Sequence, residues 1–322
     1  MSSERLSRRN LFVLLALAGV MCAAIAVFMT IGAKGRWDFV LPFRGRKLAA
    51  LVLVAYAIGV STVLFQTVAA NRILTPSIMG FDAFYVLIQT VLVFTLGAAR
   101  VSTLDPRLMF LIEVALMVAF SMALYRWLFA RTARSLHLLM LVGVVFGVLF
   151  RSLSNFMQRI IDPNEFVVLQ DRLFASFNVV DQHLLITSAL LVLIASVIGW
   201  RMLPKLDVLA LGHDIAVNLG VDYRRTVSAV LIVVAILVSV STALVGPVTF
   251  FGLLVASLAY QLVPGGRHVT VLPVAVMLGI IFLVAGQTIL ERVFSFNSAL
   301  SIVIEFVGGL VFLFLLVKGV KR

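Results

Sequence analysis

The stretch Leu206 to Asp222, LDVLALGHDIAVNLGVD, is a polar interruption in a chain that is otherwise close to continuously apolar. It holds two short amphipathic runs, LDVLALG ending at Gly212 and HDIAVNLG from His213 to Gly220. In the second, Asp214 stands near the start and Ile215, Ala216 and Leu219 recur at helical spacing. A carboxylate near a helix start and a glycine just past its end are ordinary helix punctuation. Arg201 and Lys205 precede the stretch, and Arg224 and Arg225 follow it. Basic residues beside membrane helices mark the cytoplasmic side. The expectation is two short helices at the cytoplasmic face between two spans, a surface suited to receiving force from a partner. An amphipathic loop resting on the lipid interface has the same pattern.

Working outward, the 322 residues are 62% hydrophobic and only 12% charged, with mean hydropathy +1.16. One membrane-spanning helix needs roughly 20 apolar residues, and the chain supplies many such runs with short polar breaks. A soluble domain could not hide this much apolar surface. A β-barrel is excluded, because its strands are short and alternating. The reading is an all-α polytopic membrane protein, one transmembrane domain over residues 1–322.

Ten apolar segments fall at about 11–33, 48–69, 81–97, 108–129, 137–158, 183–203, 226–246, 249–263, 270–290 and 301–318. The eighth is short and bounded by Gly246-Pro247 and Pro264-Gly265-Gly266, so it is expected to be tilted, broken or packed inside the bundle. Arg5, Arg8 and Arg9 precede the first segment like a signal peptide, but the run is too long and more spans follow. It is read as a retained first helix. An even span count puts both termini on one side. With a cytoplasmic N-terminus, that side carries 15 of the 26 Lys and Arg. Among the outer residues is a cluster, Lys34, Arg36, Arg44, Arg46 and Lys47, that breaks the positive-inside rule. The long insertion 159–182 carries an amphipathic run, Phe166 to Phe177, expected outside over the mouth of the bundle.

The net charge of +12 sits at helix ends, where it orients the chain and meets anionic lipid. No aromatic-interleaved basic domain suited to nucleic acid is present. The single Cys22 lies in an apolar run and has no second cysteine to pair with. No Walker-type phosphate loop or Rossmann fingerprint occurs, so these motifs place no nucleotide on this chain. The four histidines are scattered and form no metal motif, so no metal site is expected. Asp82, Glu113 and Glu305 fall in or near spans. Intramembrane carboxylates suggest a proton relay, although these three lie near segment ends, where caps or vestibule roles also suit them. Gly143 and Gly147 form a G-x-x-x-G that allows close helix approach, within the chain or between chains.

LDVLALGHDIAVNLGV resembles the coupling segment of permeases in the iron-siderophore and cobalamin (FecCD-type) ABC importer family, which shows L-x-L-G-x-x-x-A-x-x-L-G. Leu209, Leu211, Gly212, Ala216, Leu219 and Gly220 match, while His213 stands where the family carries an acid. VGPVTFFGLL (245–254) resembles the family's G-x-I-x-F-V-G-L. The Pro-His pair and Arg that usually follow are replaced by Ala256, Ser257 and Tyr260, a departure similar to the catecholate-siderophore branch. Arg267-His268 and Leu272-Pro273 match the next loop. FRGRKLAALVLVAYAIGVSTVLFQTVAANRILTPSIMGFD (43–82) resembles the second helix and its loop, with Gln66, Asn71, Leu74, Pro76 and Gly80 on the pattern. GGLVFLFLL (308–316) resembles the last helix.

The resemblance implies a cobalamin-importer-like permease fold of ten helices in a bacterial cytoplasmic (inner) membrane, with both termini cytoplasmic. It implies two ABC ATPase subunits carrying ATP and Mg, a second permease subunit, identical or related, and an extracytoplasmic siderophore-binding protein. This chain itself would be a transport subunit with no cofactor. Leu209, Leu211, Gly212, His213, Asp214, Ala216, Leu219 and Gly220 would contact the ATPase. Arg44, Arg46, Lys47 and Arg292 would dock the binding protein; Arg46 falls on a family position, while Phe43 occupies the other arginine position of that motif. Gln66, Asn71, Phe250 and Phe251 would line the path, among the second, fifth and eighth segments. The rival reading is a proton-coupled secondary transporter using Glu113 or Glu305, which has no need of a coupling segment.

Overall fold

In a bilayer no water is available to backbone N–H and C=O groups, so a long apolar run satisfies them internally by coiling into a helix. The computed structural model describes residues 2–32, 35, 37–131, 136–178, 180–293, 300–306 and 308–310, and every regular element among them is helical. In chain order these are α1 (Ser2–Thr30), α2 (Trp37–Ala69), a 3-10 turn (Pro76–Met79), α3 (Phe81–Leu96), α4 (Ala98–Thr103), α5 (Pro106–Arg131) and α6 (Leu136–Gln158). There follow α7 (Pro163–Leu173), α8 (Gln182–Leu209), α9 (His213–Asn218), α10 (Tyr223–Val245), α11 (Phe251–Leu262) and α12 (His268–Arg292). A last short apolar helix covers Leu300–Leu310.

Among the described residues seven helices, α1, α2, α5, α6, α8, α10 and α12, are long and apolar enough to cross a membrane. The shorter apolar helices α3, α11 and Leu300–Leu310 bring the apolar segments to the ten expected. Lys34, Arg36, Arg134, residues 307 and 311–318 of the last segment and the C-terminal Lys321 and Arg322 lie outside the described residues.

The middle of the bundle is α2 and α10, which pack on each other; α2 also meets α8, α11 and α12, and α1 lies outside against α12. Lipid tails are as apolar as leucine, so close packing rather than transfer from water holds such helices together. Small residues make that packing possible. Gly80, at φ 93°, sits where an added Cβ would lie 3.0 Å from Gly147 Cα, and one on Gly143 would lie 3.1 Å from Met79 Cβ. The G-x-x-x-G of α6 therefore seats the 3-10 turn and the start of α3 within the same chain.

α3 and α11 are half-length because both start inside the bundle. The turns before them face Ile58, Ser61 and Thr62 of α2. Non-helical backbone is tolerated at such depth only where protein buries it. At one end of the bundle α7 packs on α3 and α4, with Leu169 buried. It is the amphipathic run expected over 166–177, shifted to 163–173 because Pro163 suits a first helical position and Asp162 caps it, accepting from Asn164 N–H at 2.8 Å. The other end carries α9, and α8 connects the two.

Candidate coupling site and translocation path

The sequence suggested two short helices in 206–222; the structure has one. α8 runs unbroken through Leu209. Its 28 residues extend about 42 Å at 1.5 Å per residue, well beyond a hydrocarbon core of roughly 30 Å. The LDVL run is thus the protruding end of a span. Gly212, at φ 107°, then turns the chain into α9.

α9 and the turns on either side of it present an apolar surface away from the bundle, with Leu211 57%, Leu219 61%, Ile215 49% and Val217 48% exposed. Grouped exposed apolar side chains on a polar-flanked element mark an interaction surface. His213 and Asp214 on α9 and Gly220 just past it are also exposed, and His213 Nδ1 lies 2.8 Å from Asp214 Oδ1. Ala216 and Leu209 correct the expectation: both are buried in the bundle core. They seat α9 on the bundle and offer no surface to a partner, because the helical face carrying Ala216 is the one turned inward.

Behind α9 is a polar junction that sequence reading missed. Asp207 Oδ1 accepts from the backbone N–H of His268 at 2.9 Å and lies 2.6 Å from its Nδ1. His268 is buried, and its Nε2 lies 2.7 Å from Thr67 Oγ1. Three helices, α8, α12 and α2, therefore meet through three side chains. Asp207 also caps α12 from another helix, since Arg267 at the cap position makes no side-chain cap bond. The only sequence signal was a carboxylate inside the amphipathic stretch, with no hint of its distant partner.

At the α7 end the four basic docking candidates separate. Lys47 is 5% exposed and pairs with Glu291 at 2.6 Å, and it also donates to Asn178 Oδ1 at 3.2 Å. It is a buried tie between α2 and α12, not a surface cation, because a lysine sunk this deep needs a counter-charge. Arg44 is half-buried and donates to the carbonyls of Phe28 and Met29 at 2.8 and 3.0 Å, fastening the end of α1. Arg292 is exposed and donates to Ile31 O. Arg46 is exposed, donates to Pro42 O at 3.2 Å, and borders a 140 Å³ depression with Phe43 and Phe177.

The four path candidates also separate. Phe251 is fully buried in the core with Val255 and Leu51. Gln66 is buried and donates to Arg72 O at 2.6 Å, and Asn71 Oδ1 accepts from Ile73 N–H at 2.9 Å; both shape the turn after α2. Phe250 is exposed. Of the carboxylates, Glu113 is buried and accepts from Gln89 Nε2 at 2.6 Å. Asp82 is buried and accepts from Thr249 Oγ1 at 2.8 Å, while Glu305 is half-buried on the last helix. Thr249 thus ties the start of α3 to the turn before α11.

Comparison with known proteins agrees with this architecture. The chain is 47% identical over 313 residues to the petrobactin import system permease protein YclO of Bacillus subtilis (strain 168), covering 97% of this chain and 99% of that protein. It is 37% identical to the petrobactin import system permease protein FatC of Bacillus anthracis, over 84% of this chain and 77% of that one. It is 27% identical to the ferric enterobactin transport system permease protein FepD of Escherichia coli (strain K12), over 84% and 79%. A solved structure described as a metal-chelate type ABC transporter in an inward-facing conformation superposes with TM-score 0.80 at 20% identity, over 96% of this chain and 99% of that one. That likeness shows the permease fold. The model of the FecCD transport family matches residues 10–318, and the chain belongs to that family.

Proposed function

We propose that this chain is the membrane permease subunit of an ATP-driven importer for a ferric siderophore of the catecholate-bearing kind. The observation that carries the reading is the exposed apolar face of α9, projecting from the end of an overlong span. A secondary carrier has no use for such a surface, whereas a permease driven by separate ATPase chains needs one. The two most similar relatives described above are named as petrobactin import permeases, which supports the substrate class.

In this reading the α9 end is cytoplasmic, and two ATPase subunits, holding ATP and Mg, grip Leu211, Ile215 and Leu219. A second permease subunit, identical or related, completes the path, and a binding protein docks at the α7 end near Arg46 and Arg292. ATP binding closes the ATPase pair and displaces α9. Because Asp207, His268 and Thr67 bind the end of α8 to α12 and α2, the displacement passes into the bundle, and the path opens alternately to each side. The test is Leu211→Asp with Leu219→Asp, both at exposed positions that leave the bundle intact. Siderophore-iron uptake and transport-coupled ATP hydrolysis fall at least tenfold while membrane abundance holds. Unchanged uptake overturns the assignment.

A further inference from the structure

α6 carries two different exposed stripes. One is apolar: Val145, Leu149, Leu153 and Phe156. The other is apolar at Leu141, Val144 and Val148 and turns polar in its last turns and just past the helix end, with Arg151, Asn155 and Arg159, four residues apart, and Ser152 beside them, all exposed. Arg151 lies inside the membrane-spanning window Leu141–Gln158, seven residues or about 10 Å from the helix end. Among the described residues it has no ion-pair partner within 4.0 Å, although Asp82 is within electrostatic reach. A lipid-facing surface looks different. On α8 the exposed residues Leu190, Leu193, Ile194 and Val197 have no Lys, Arg, Asp or Glu among them from Gln182 to Trp200. A charged side chain at depth costs several kcal/mol against hydrocarbon and is normally found facing a water-filled cavity or the interior of an assembly.

The inner end of the polar stripe points to the same place as other features. Asp82 bonds Thr249, whose neighbour Phe250 is exposed, and Glu305 lies within electrostatic reach of Asp82. Broken-helix starts, an exposed aromatic ring and an arginine thus converge inside the span. Asp82 is buried and Glu305 half-buried, so the exposed charge of the stripe is dominated by Arg151 and Arg159.

We infer that the Arg151–Asn155–Arg159 stripe lines the water-filled translocation path and meets the passing substrate, an anionic iron–catecholate complex, as a cationic guide. This rests on the importer reading, in which the fifth apolar segment flanks the path, and adds the charge preference of that wall. The guide acts through long-range attraction and weak polar contact, which suits a cargo that must be released again.

The test is thiol labelling of the assembled transporter in native membranes, in a Cys22→Ala background that removes the single native cysteine. Asn155→Cys, and separately Ser152→Cys, is treated with an anionic sulfonatoethyl methanethiosulfonate or a cationic trimethylammonioethyl one. Leu193→Cys on α8 is the lipid-facing control. The expected result is fast reaction at 155 and 152, slow reaction at 193, and a rate ratio favouring the anionic reagent. One unit charge a few ångströms away in water is worth a factor of about five, and Arg151→Gln removes that preference. Reaction at 155 and 152 as slow as at 193 overturns the path assignment. Fast reaction with a ratio that Arg151→Gln leaves unchanged overturns the guide. Neither readout depends on ATP hydrolysis or uptake, so either failure leaves the importer reading to its own test.

Discussion

Replacing Asp207 by alanine removes the acceptor shared by the His268 backbone N–H at 2.9 Å and its Nδ1 at 2.6 Å. A hydrogen bond to a charged group contributes about 1.5–3 kcal/mol. Asp207 is 27% exposed while His268 is 8% exposed, so water can reach the carboxylate but not fully replace it for the histidine. Taking the low end for each of two bonds gives a loss of about 3 kcal/mol. Asp207→Asn keeps one carbonyl oxygen and can still accept from the α12 backbone, so it loses about half as much. In a 150–250-residue domain each kcal/mol moves the melting midpoint by about 2–4 °C, and less in a larger chain. Thermal unfolding of the purified protein in one detergent, followed by circular dichroism, should show Asp207→Ala lower by about 5 °C and Asp207→Asn by about half that. Uptake should fall in the same order, because this junction joins the α9-bearing helix to the bundle. An alanine variant melting within about 1 °C of the parent, or an asparagine variant worse than alanine, refutes the reasoning.

Two further perturbations test the packing. Glu291→Gln strands the buried Lys47 charge and should destabilise by about 3 kcal/mol, whereas pairing it with Lys47→Met should recover much of the loss; chemical or thermal melts of the three variants decide, and a double variant no better than Glu291→Gln counts against the buried tie. Gly147→Val places a side chain where even a Cβ would approach Gly80 Cα to 3.1 Å, so α3 and α6 must separate at about 2–3 kcal/mol; a melting midpoint equal to the parent's would contradict the close approach.

The fold was readable in the sequence because its signal is long range and one-dimensional: a bilayer-length apolar run is visible without knowing its neighbours. The bounds of α2, α8, α10 and α12 follow the apolar runs with polar extensions, and the short eighth segment announced α11 through its flanking glycines and prolines. The site was only partly readable, because side-chain direction depends on partners far along the chain. Lys47 looked like one more exposed cation in a basic cluster, and nothing near it in sequence reveals Glu291. Ala216 matched a motif, but a motif does not say which face of a six-residue helix is turned inward. Phe250 and Phe251 are neighbours with opposite fates, one exposed and one in the core, as the helical repeat requires at the first turn of a buried helix. Nothing in the linear sequence assigns Arg151 to a face, and only the helix shows that it stands with Asn155 and Arg159.

The central claim is that α9 is the handle by which separate ATPase chains drive this permease. The most direct measurement is affinity purification of the tagged chain from membranes in mild detergent, with quantitative mass spectrometry, for the parent and for Leu211→Asp with Leu219→Asp. The account predicts an ATPase recovered in equal amount with permease chains from the parent and largely absent from the variant. An ATPase retained at the parent level in the variant, or none recovered with an uptake-competent parent, would contradict it.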